Sequence, residues 1–456
     1  MKTWLPDKGA LKRPRYRSLM AAIESAIEDG NLRPGDRLPT HRELSYRLGL
    51  SVQTVSRAYT RLIEAGHVVG EVGRGSFVRN AAEDSKLPFP AERAGGETLD
   101  LAILKPVVAE IHRDALRAAL RDVARNLPDE LLSSFRAATI ANRHVAAVDD
   151  WLARCGVPRT GRVAIPTNGS TPAMTVALMS VARSGGLIVT ESMGHHTLPA
   201  LCRGLGLRLK GLEMDGEGIL PEALDRACTA EAVKALYLMP RVGPTCCVMG
   251  EDRARAISEV ARRHEIAIIE NDGWGPLGTR SAPPLVQLAP ERCLYVTSLT
   301  KCVAPGLRVG FLAVPQALAA TARERHMVTN WMVTPLMHEI ATRWLEDGTA
   351  GALCDWQVDA LRSRAEIARR ILGPGGARVS PAGLQAWQPC PDIGSEARLV
   401  ERCRESGILI APGSTFSIGP LPSIPGVRIS LGAQAAASLP SALHIIRGLA
   451  AETAAG

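Results

Sequence analysis

Apolar residues recur at Tyr16, Leu19, Met20, Ile23 and Ile27, the i, i+3, i+4, i+7 spacing of a single helical face, and predict an amphipathic helix from Arg15 to about Gly30. After the turn Arg33-Pro34-Gly35-Asp36, Thr40 is placed to cap a short helix, His41 to Leu48, that stops at Gly49. Ser51 then caps a longer helix, Val52 to Ala65, ended by Gly66. On this third helix Val55, Ala58, Tyr59 and Leu62 share a face, which turns Gln53, Thr54, Arg57 and Arg61 outward. His67-Val68-Val69 and Gly73-Arg74-Gly75-Ser76-Phe77-Val78 read as a two-stranded hairpin with a glycine-rich tip.

From about Asn80 to Glu97 the chain turns to Ala, Glu, Pro and Gly without a period, which predicts a linker over 81–98 between a first domain, 1–80, and the remainder. Beyond it, short β-rich runs (Arg162–Pro166, Gly186–Thr190, Ala235–Leu238, Ile266–Ile269, Leu294–Ser298) alternate with helical stretches such as Pro172–Ala182 and Asp252–Arg263. That alternation predicts an α/β layer around a mostly parallel sheet, a large domain over 99–325. From about Arg323 the pattern becomes helix-rich and then mixed, with a short run at Gly426–Leu431 and a final helix. A smaller C-terminal α+β lobe over 326–456 is expected.

Composition changes the picture in two places. Residues 1–80 hold 14 Lys and Arg against 8 Asp and Glu, so +6 of the net charge of +8 sits in the first domain, as for a nucleic-acid-binding head on a near-neutral body. The ten cysteines include no C-x-x-C and only one adjacent pair, Cys246-Cys247, which predicts reduced, buried thiols and no metal site. No apolar run is long enough to span a bilayer and the first residues lack an export pattern, so a cytoplasmic protein with no membrane partner is expected.

Three helices, a short turn between the second and third, and a basic hairpin make a winged helix-turn-helix whose third helix can enter the major groove of double-stranded DNA. Gln53, Thr54, Arg57 and Arg61 can reach base edges or phosphates, while Arg42 on the preceding helix and Arg74 at the wing tip suit the backbone or minor groove. The run Leu38-Pro39-Thr40-His41-Arg42-Glu43-Leu44, through Thr54-Val55-Ser56-Arg57-Ala58-Tyr59, to Gly73–Val78 closely resembles the head of GntR-type bacterial regulators. That resemblance implies DNA contacts from Arg42, Ser51, Gln53, Thr54 and the wing near Gly73.

The strongest chemical signal is Ser298-Leu299-Thr300-Lys301, followed by Arg308 and Gly310. A strand ends in two hydroxyls flanking a lysine, so Lys301 can form a Schiff base while Ser298, Thr300 and Arg308 hold a phosphate. The pattern resembles the lysine motif of fold-type I pyridoxal-phosphate enzymes. Asn168-Gly169-Ser170-Thr171 follows a strand and opens a helix, whose N–H groups and positive end can take the cofactor phosphate.

The same resemblance places His195 where an aromatic stacks on the pyridine ring, and Glu270-Asn271-Asp272-Gly273-Trp274 where a carboxylate meets the pyridine nitrogen. The family pattern is Glu-Asp-Asp-x-Tyr. Asn271 falls at the first carboxylate and Trp274 at the tyrosine that bonds the ring hydroxyl; either Asn271 or Asp272 faces the nitrogen. In Met239–Cys246, which resembles the Asn-Pro-Thr-Gly segment, Gly243 and Cys246 replace Asn and Gly. Arg428 in Val427-Arg428-Ile429-Ser430 resembles the arginine that binds a substrate carboxylate, and is the candidate for the effector's anion.

Together the two resemblances cover almost the whole chain and match the MocR-type subfamily of GntR regulators. That implies a PLP-dependent transferase fold of type I behind the winged helix, a head-to-tail homodimer, and sensing of a small amine or amino acid that displaces Lys301 from the cofactor as an external aldimine. Two other readings use the same residues: a working aminotransferase with an accessory head, which the altered positions 243, 246, 271 and 274 disfavour, and a sensor of pyridoxal phosphate itself.

Overall fold

The computed structural model describes residues 4–7, 9, 11–33, 35–64, 67–71, 75–78, 98–133, 138–241, 243–278, 280–419, 424–433 and 437–455, and divides into two compact units, 1–93 and 94–456. The linker expected over 81–98 lies outside the described residues except at its last position.

In the first unit, α1 (Arg15–Glu28), α2 (His41–Leu48) and α3 (Val52–Glu64) precede an antiparallel pair, β1 (Val68–Glu71) and β2 (Gly75–Val78). Local chemistry sets the helix starts. Thr40 Oγ1 accepts from Glu43 N at 3.2 Å, Ser51 Oγ accepts from Thr54 N at 3.1 Å, and Gly49 closes α2 in the left-handed region at φ +64°. Leu19 and Ile23 of α1, Leu44 and Leu48 of α2, and Val55, Ala58, Tyr59 and Leu62 of α3 meet in one apolar core. The Tyr59 hydroxyl, buried there, donates to Pro39 O at 2.8 Å.

The second unit is built on a seven-stranded sheet. In chain order its strands are β3 (Arg162–Thr167), β4 (Leu187–Glu191), β5 (Arg208–Leu212), β6 (Val233–Leu238), β7 (Ala267–Asn271), β8 (Cys293–Ser298) and β9 (Gly310–Pro315), and across the sheet they lie β3-β9-β8-β7-β6-β4-β5. All pairings are parallel except those of β9, which runs against both β8 and β3. The sequence pattern missed β5 and β9. Gly310–Pro315 is buried at every position, so it carries no alternation to read.

The period of two along each strand divides the sheet's two faces into separate cores. Ile269, Tyr237 and Val296 pack with Met174, Ala177 and Leu178 of α4 (Ser170–Val181) on one face. Ile268, Leu236, Leu238 and Tyr295 pack with Ile257 and Val260 of α5 (Glu251–Arg263) on the other. The C-terminal lobe sets α6 (Thr349–Leu372), α7 (Ile393–Glu405) and α8 (Leu439–Ala455) against an antiparallel sheet of β10 (Arg378–Val379), β11 (Gln385–Pro389), β12 (Ala411–Pro412) and β13 (Gly426–Ser430), ordered β10-β11-β13-β12. The ten cysteines are free, eight of them buried. No helix among the described residues is long and apolar enough to cross a membrane.

Candidate functional site

At the C-terminal end of β8 the buried strand hands the chain to a turn that carries Lys301, half-buried, with Nζ donating to Leu104 O. Burial, then the positive charges of Arg428 and Arg308, push its amine down to about 7, so a large neutral fraction exists near physiological pH. Ser298 Oγ accepts from Thr300 N at 3.4 Å. Thr300 Oγ1 is buried and has no hydrogen-bond partner among the described residues, leaving a hydroxyl available to a ligand.

Arg308 sits in the left-handed region at φ +52°, and its guanidinium lies against Gly169 at the start of α4. Gly169 holds φ +96°, a conformation L side chains rarely adopt, and a Cβ there would come within 2.7 Å of Arg308 Nη2 and push the guanidinium aside. Gly310 allows the same approach, since a Cβ on it would lie 2.5 Å from the Gly169 carbonyl carbon. Two glycines thus bring a guanidinium to the positive end of a helix that opens with Ser170 and Thr171. Asn168 Oδ1 steadies this corner by accepting from Thr334 N at 2.9 Å. A guanidinium, a helix start without a side-chain cap, a buried hydroxyl and a depressed amine fit a phosphorylated aldehyde such as pyridoxal phosphate.

Asn271 ends β7 and Asp272 continues its alternation, so the two face opposite ways, and here the difference matters. Asp272 turns to the α5 side of the sheet, where it is fully engaged: Arg241 Nη2 at 2.8 Å, Arg280 Nη2 at 2.6 Å and the Tyr295 hydroxyl at 2.6 Å all donate to it. Burial alone would raise its pKa, but the two arginines outweigh that and hold the carboxyl below the usual aspartate range. Asn271 turns to the α4 side, its Nδ2 donating to Tyr237 Oη at 2.6 Å and lying 3.8 Å from Met174 Sδ, one turn inside the helix that begins at Gly169. Asn271 Oδ1 is buried without a hydrogen-bond partner among the described residues. Trp274 is buried in the apolar core on the α5 side, with Asp272 rather than with Asn271.

His195 is half-buried, stacks on His196 with centroids 4.8 Å apart and planes 18° from parallel, and is oriented by Thr197 Oγ1 at 2.7 Å from Nδ1. Burial, then Lys301 and Arg428, push it down to about 4, which keeps the ring neutral. Arg428 is buried, with Nη2 donating to Ala102 O at 2.8 Å and its guanidinium 4.6 Å over the Phe416 ring; burial pushes it down to about 10. The segment from Ala102 to Leu104 therefore meets both Arg428 and Lys301, which nothing in its own sequence signals. Gly243 O accepts from Gln385 Nε2 at 2.7 Å, and Cys246 adopts φ +60°, a conformation that a glycine would hold without strain.

In the head, Arg42, Ser51, Gln53 and Arg57 are exposed and Thr54 is half-exposed. The hydroxyls of Ser51 and Thr54 lie 2.8 Å apart in the cap of α3, and Arg57 sits 4.2 Å over the Tyr16 ring, while Gln53 and Arg42 are exposed. Gly73 and Arg74 lie outside the described residues. Sequence reasoning missed Tyr237 and Arg241, which meet Asn271 and Asp272 from more than thirty residues upstream, and Arg280, eight residues beyond Asp272.

Residues 15–78 match the bacterial regulatory proteins of the gntR family, and residues 100–445 match aminotransferase class I and II. Over 459 residues the chain is 26% identical to the uncharacterized HTH-type transcriptional regulator YdeF of Bacillus subtilis, covering 98% of this chain and 96% of that protein. It is 26% identical to the vitamin B6 salvage pathway transcriptional repressor PtsJ of Salmonella typhimurium, over 90% of this chain and 92% of that one. The second unit's fold is similar to that of a multiple substrate aminotransferase from Thermococcus profundus, with a TM-score of 0.70, 17% identity, and coverage of 79% of this chain and 92% of that structure.

Proposed function

Because the chain belongs to the aminotransferase class I and II family and carries a GntR-type winged helix-turn-helix in front of it, the MocR-type combination, we propose that it is a transcription regulator whose body binds pyridoxal phosphate on Lys301 and responds to a small amine or amino acid. The observation that carries the reading is the convergence at the end of β8: a half-buried amine at about 7, with Arg308 drawn against the N-terminus of α4 by two glycines. When bound, the cofactor supplies an aldehyde that an amine can capture.

In this reading Arg308, Ser170, Thr171 and Thr300 would hold the phosphate, His195 would face the ring, and Lys301 is the amine that would hold the aldehyde, the place for which an effector's amine would compete. Arg428 fixes an acidic group of the effector with its planar fork. The exchange shifts the body between closures, and the paired heads of a homodimer grip the operator differently in each. Gln53, Thr54 and Arg42 supply contacts to base edges and phosphates.

Full-length protein titrated with pyridoxal phosphate is expected to gain the absorbance of a lysine-bound aldehyde, and Lys301→Ala is expected not to. Operator binding is then measured with and without candidate amines; equal affinity under all of them overturns effector sensing. The name of PtsJ as a repressor of vitamin B6 salvage favours a second reading, in which the regulated signal is the cofactor itself. It requires pyridoxal phosphate alone, with no amine added, to change operator affinity.

A further inference from the structure

We infer that the Asn271–Tyr237 pair holds the ring nitrogen of the bound cofactor in its unprotonated state, so that the site captures amines without serving as an electron sink. The inference rests on the cofactor reading above and adds what this chain does to the ring. Asn271 is the side chain at the end of β7 that turns to the α4 side, where the phosphate corner is, and its Oδ1 is buried with no partner among the described residues while Nδ2 meets Tyr237 Oη at 2.6 Å.

Neither member carries charge. A phenol is both donor and acceptor, so the Asn271 amide can be turned over from the placement in which Nδ2 meets Tyr237 Oη, its oxygen then accepting from the Tyr237 hydroxyl and its N–H directed at a bare ring nitrogen; the two amide orientations differ only in which of two near-identical atoms is nitrogen. A carboxylate in this place would favour a proton on the ring about ten- to a thousandfold; the amide removes that bias. The neighbouring carboxylate cannot substitute for it. Asp272 faces away and is bound by Arg241, Arg280 and Tyr295, and turning it over would strand two buried guanidiniums.

The other groups around the pair do not restore the bias. Met174 is apolar, and the Cys202 thiol is pushed up to about 12 by burial. Glu191, which acts on Tyr237 through its charge, is itself raised to about 7 by burial, with its oxygens engaged by Met239 N at 3.2 Å and Thr190 Oγ1 at 3.1 Å. The charged groups that converge on the Lys301 side, Arg308 and Arg428, are cations and oppose a further positive charge on the ring.

The test is the nitrogen-15 resonance of ring-labelled pyridoxal phosphate reconstituted into full-length protein at neutral pH. The wild-type resonance is expected in the range of an unprotonated pyridine, and Asn271→Asp is expected to shift it to the pyridinium range. Tyr237→Phe, which removes a hydroxyl and no charge, is expected to leave it unprotonated and provides a second readout if the buried aspartate impairs folding. A wild-type resonance already in the pyridinium range, or one that Tyr237→Phe moves there, overturns this inference alone. Protein that retains no labelled cofactor, with Lys301→Ala indistinguishable from wild type, overturns the cofactor reading and this inference together.

Discussion

Arg428 Nη2 donates to the carbonyl of Ala102 at 2.8 Å, and the same guanidinium sits over the Phe416 ring, 4.6 Å from its centroid. A buried arginine oriented from two sides has already lost much of its side-chain freedom, so a ligand carboxylate meets a preorganised fork.

Arg428→Ala is expected to weaken binding of an acidic amine by about 1.5–3 kcal/mol, roughly ten- to a hundredfold, and Arg428→Lys to recover only part of it because an ammonium is a point charge. Amines without an acidic group should be nearly indifferent to either change. Titration of the lysine-bound absorbance with both kinds of amine checks this.

With its amine at about 7, Lys301 should capture the cofactor aldehyde at a rate that climbs about tenfold per pH unit below that value and levels off above it, since the neutral amine is the nucleophile. The sign for stability follows from the same shift. Between about 7 and the ordinary lysine value the unfolded chain binds a proton the folded chain does not, so Lys301 makes the cofactor-free protein more stable as pH rises through that window. Stopped-flow capture rates and urea midpoints across pH, each compared with Lys301→Ala, test both.

Gly169→Ala places a Cβ at φ +96° and 2.7 Å from Arg308 Nη2. Backbone strain of about 1–2 kcal/mol is expected, with displacement of Arg308 and a larger proportional loss of affinity for pyridoxal phosphate than of thermal stability. A melting curve paired with a cofactor titration distinguishes this from general unfolding.

Arg280→Ala removes one of two guanidiniums from a fully buried carboxylate and is expected to cost about 3–5 kcal/mol. Asp272 is held below the ordinary aspartate range, so its contribution is present above that range and is lost as pH falls through the lowered value. Wild type should therefore lose stability in acid more steeply than Asp272→Asn, as read from denaturant midpoints. Neither substitution should abolish binding of the labelled aldehyde in protein that stays folded.

In the head, Gln53→Ala is expected to cost operator binding about 1–3 kcal/mol if it reads a base edge, and to leave non-specific DNA binding unchanged. Arg57→Ala acts also through Tyr16, beneath its guanidinium at 4.2 Å, so it should lower the melting temperature of the head as well as DNA affinity.

The sequence by itself determined whatever is set within a few residues. The caps at Thr40 and Ser51, the inward face of α3, the helix that opens after Gly169 and the hydroxyl-flanked Lys301 are local chemistry, and periodicity and turn residues suffice to read them. Alternation along β7 also required Asn271 and Asp272 to point apart. Which of them met the α4 side was decided only by tertiary structure, because it depends on the register of β7 against β6 and β8, and on Arg241 and Tyr295 arriving from other segments to hold Asp272. The closing of Ala102–Leu104 over Arg428 and Lys301 joins residues separated by about two hundred positions or more, and no local pattern encodes such a contact.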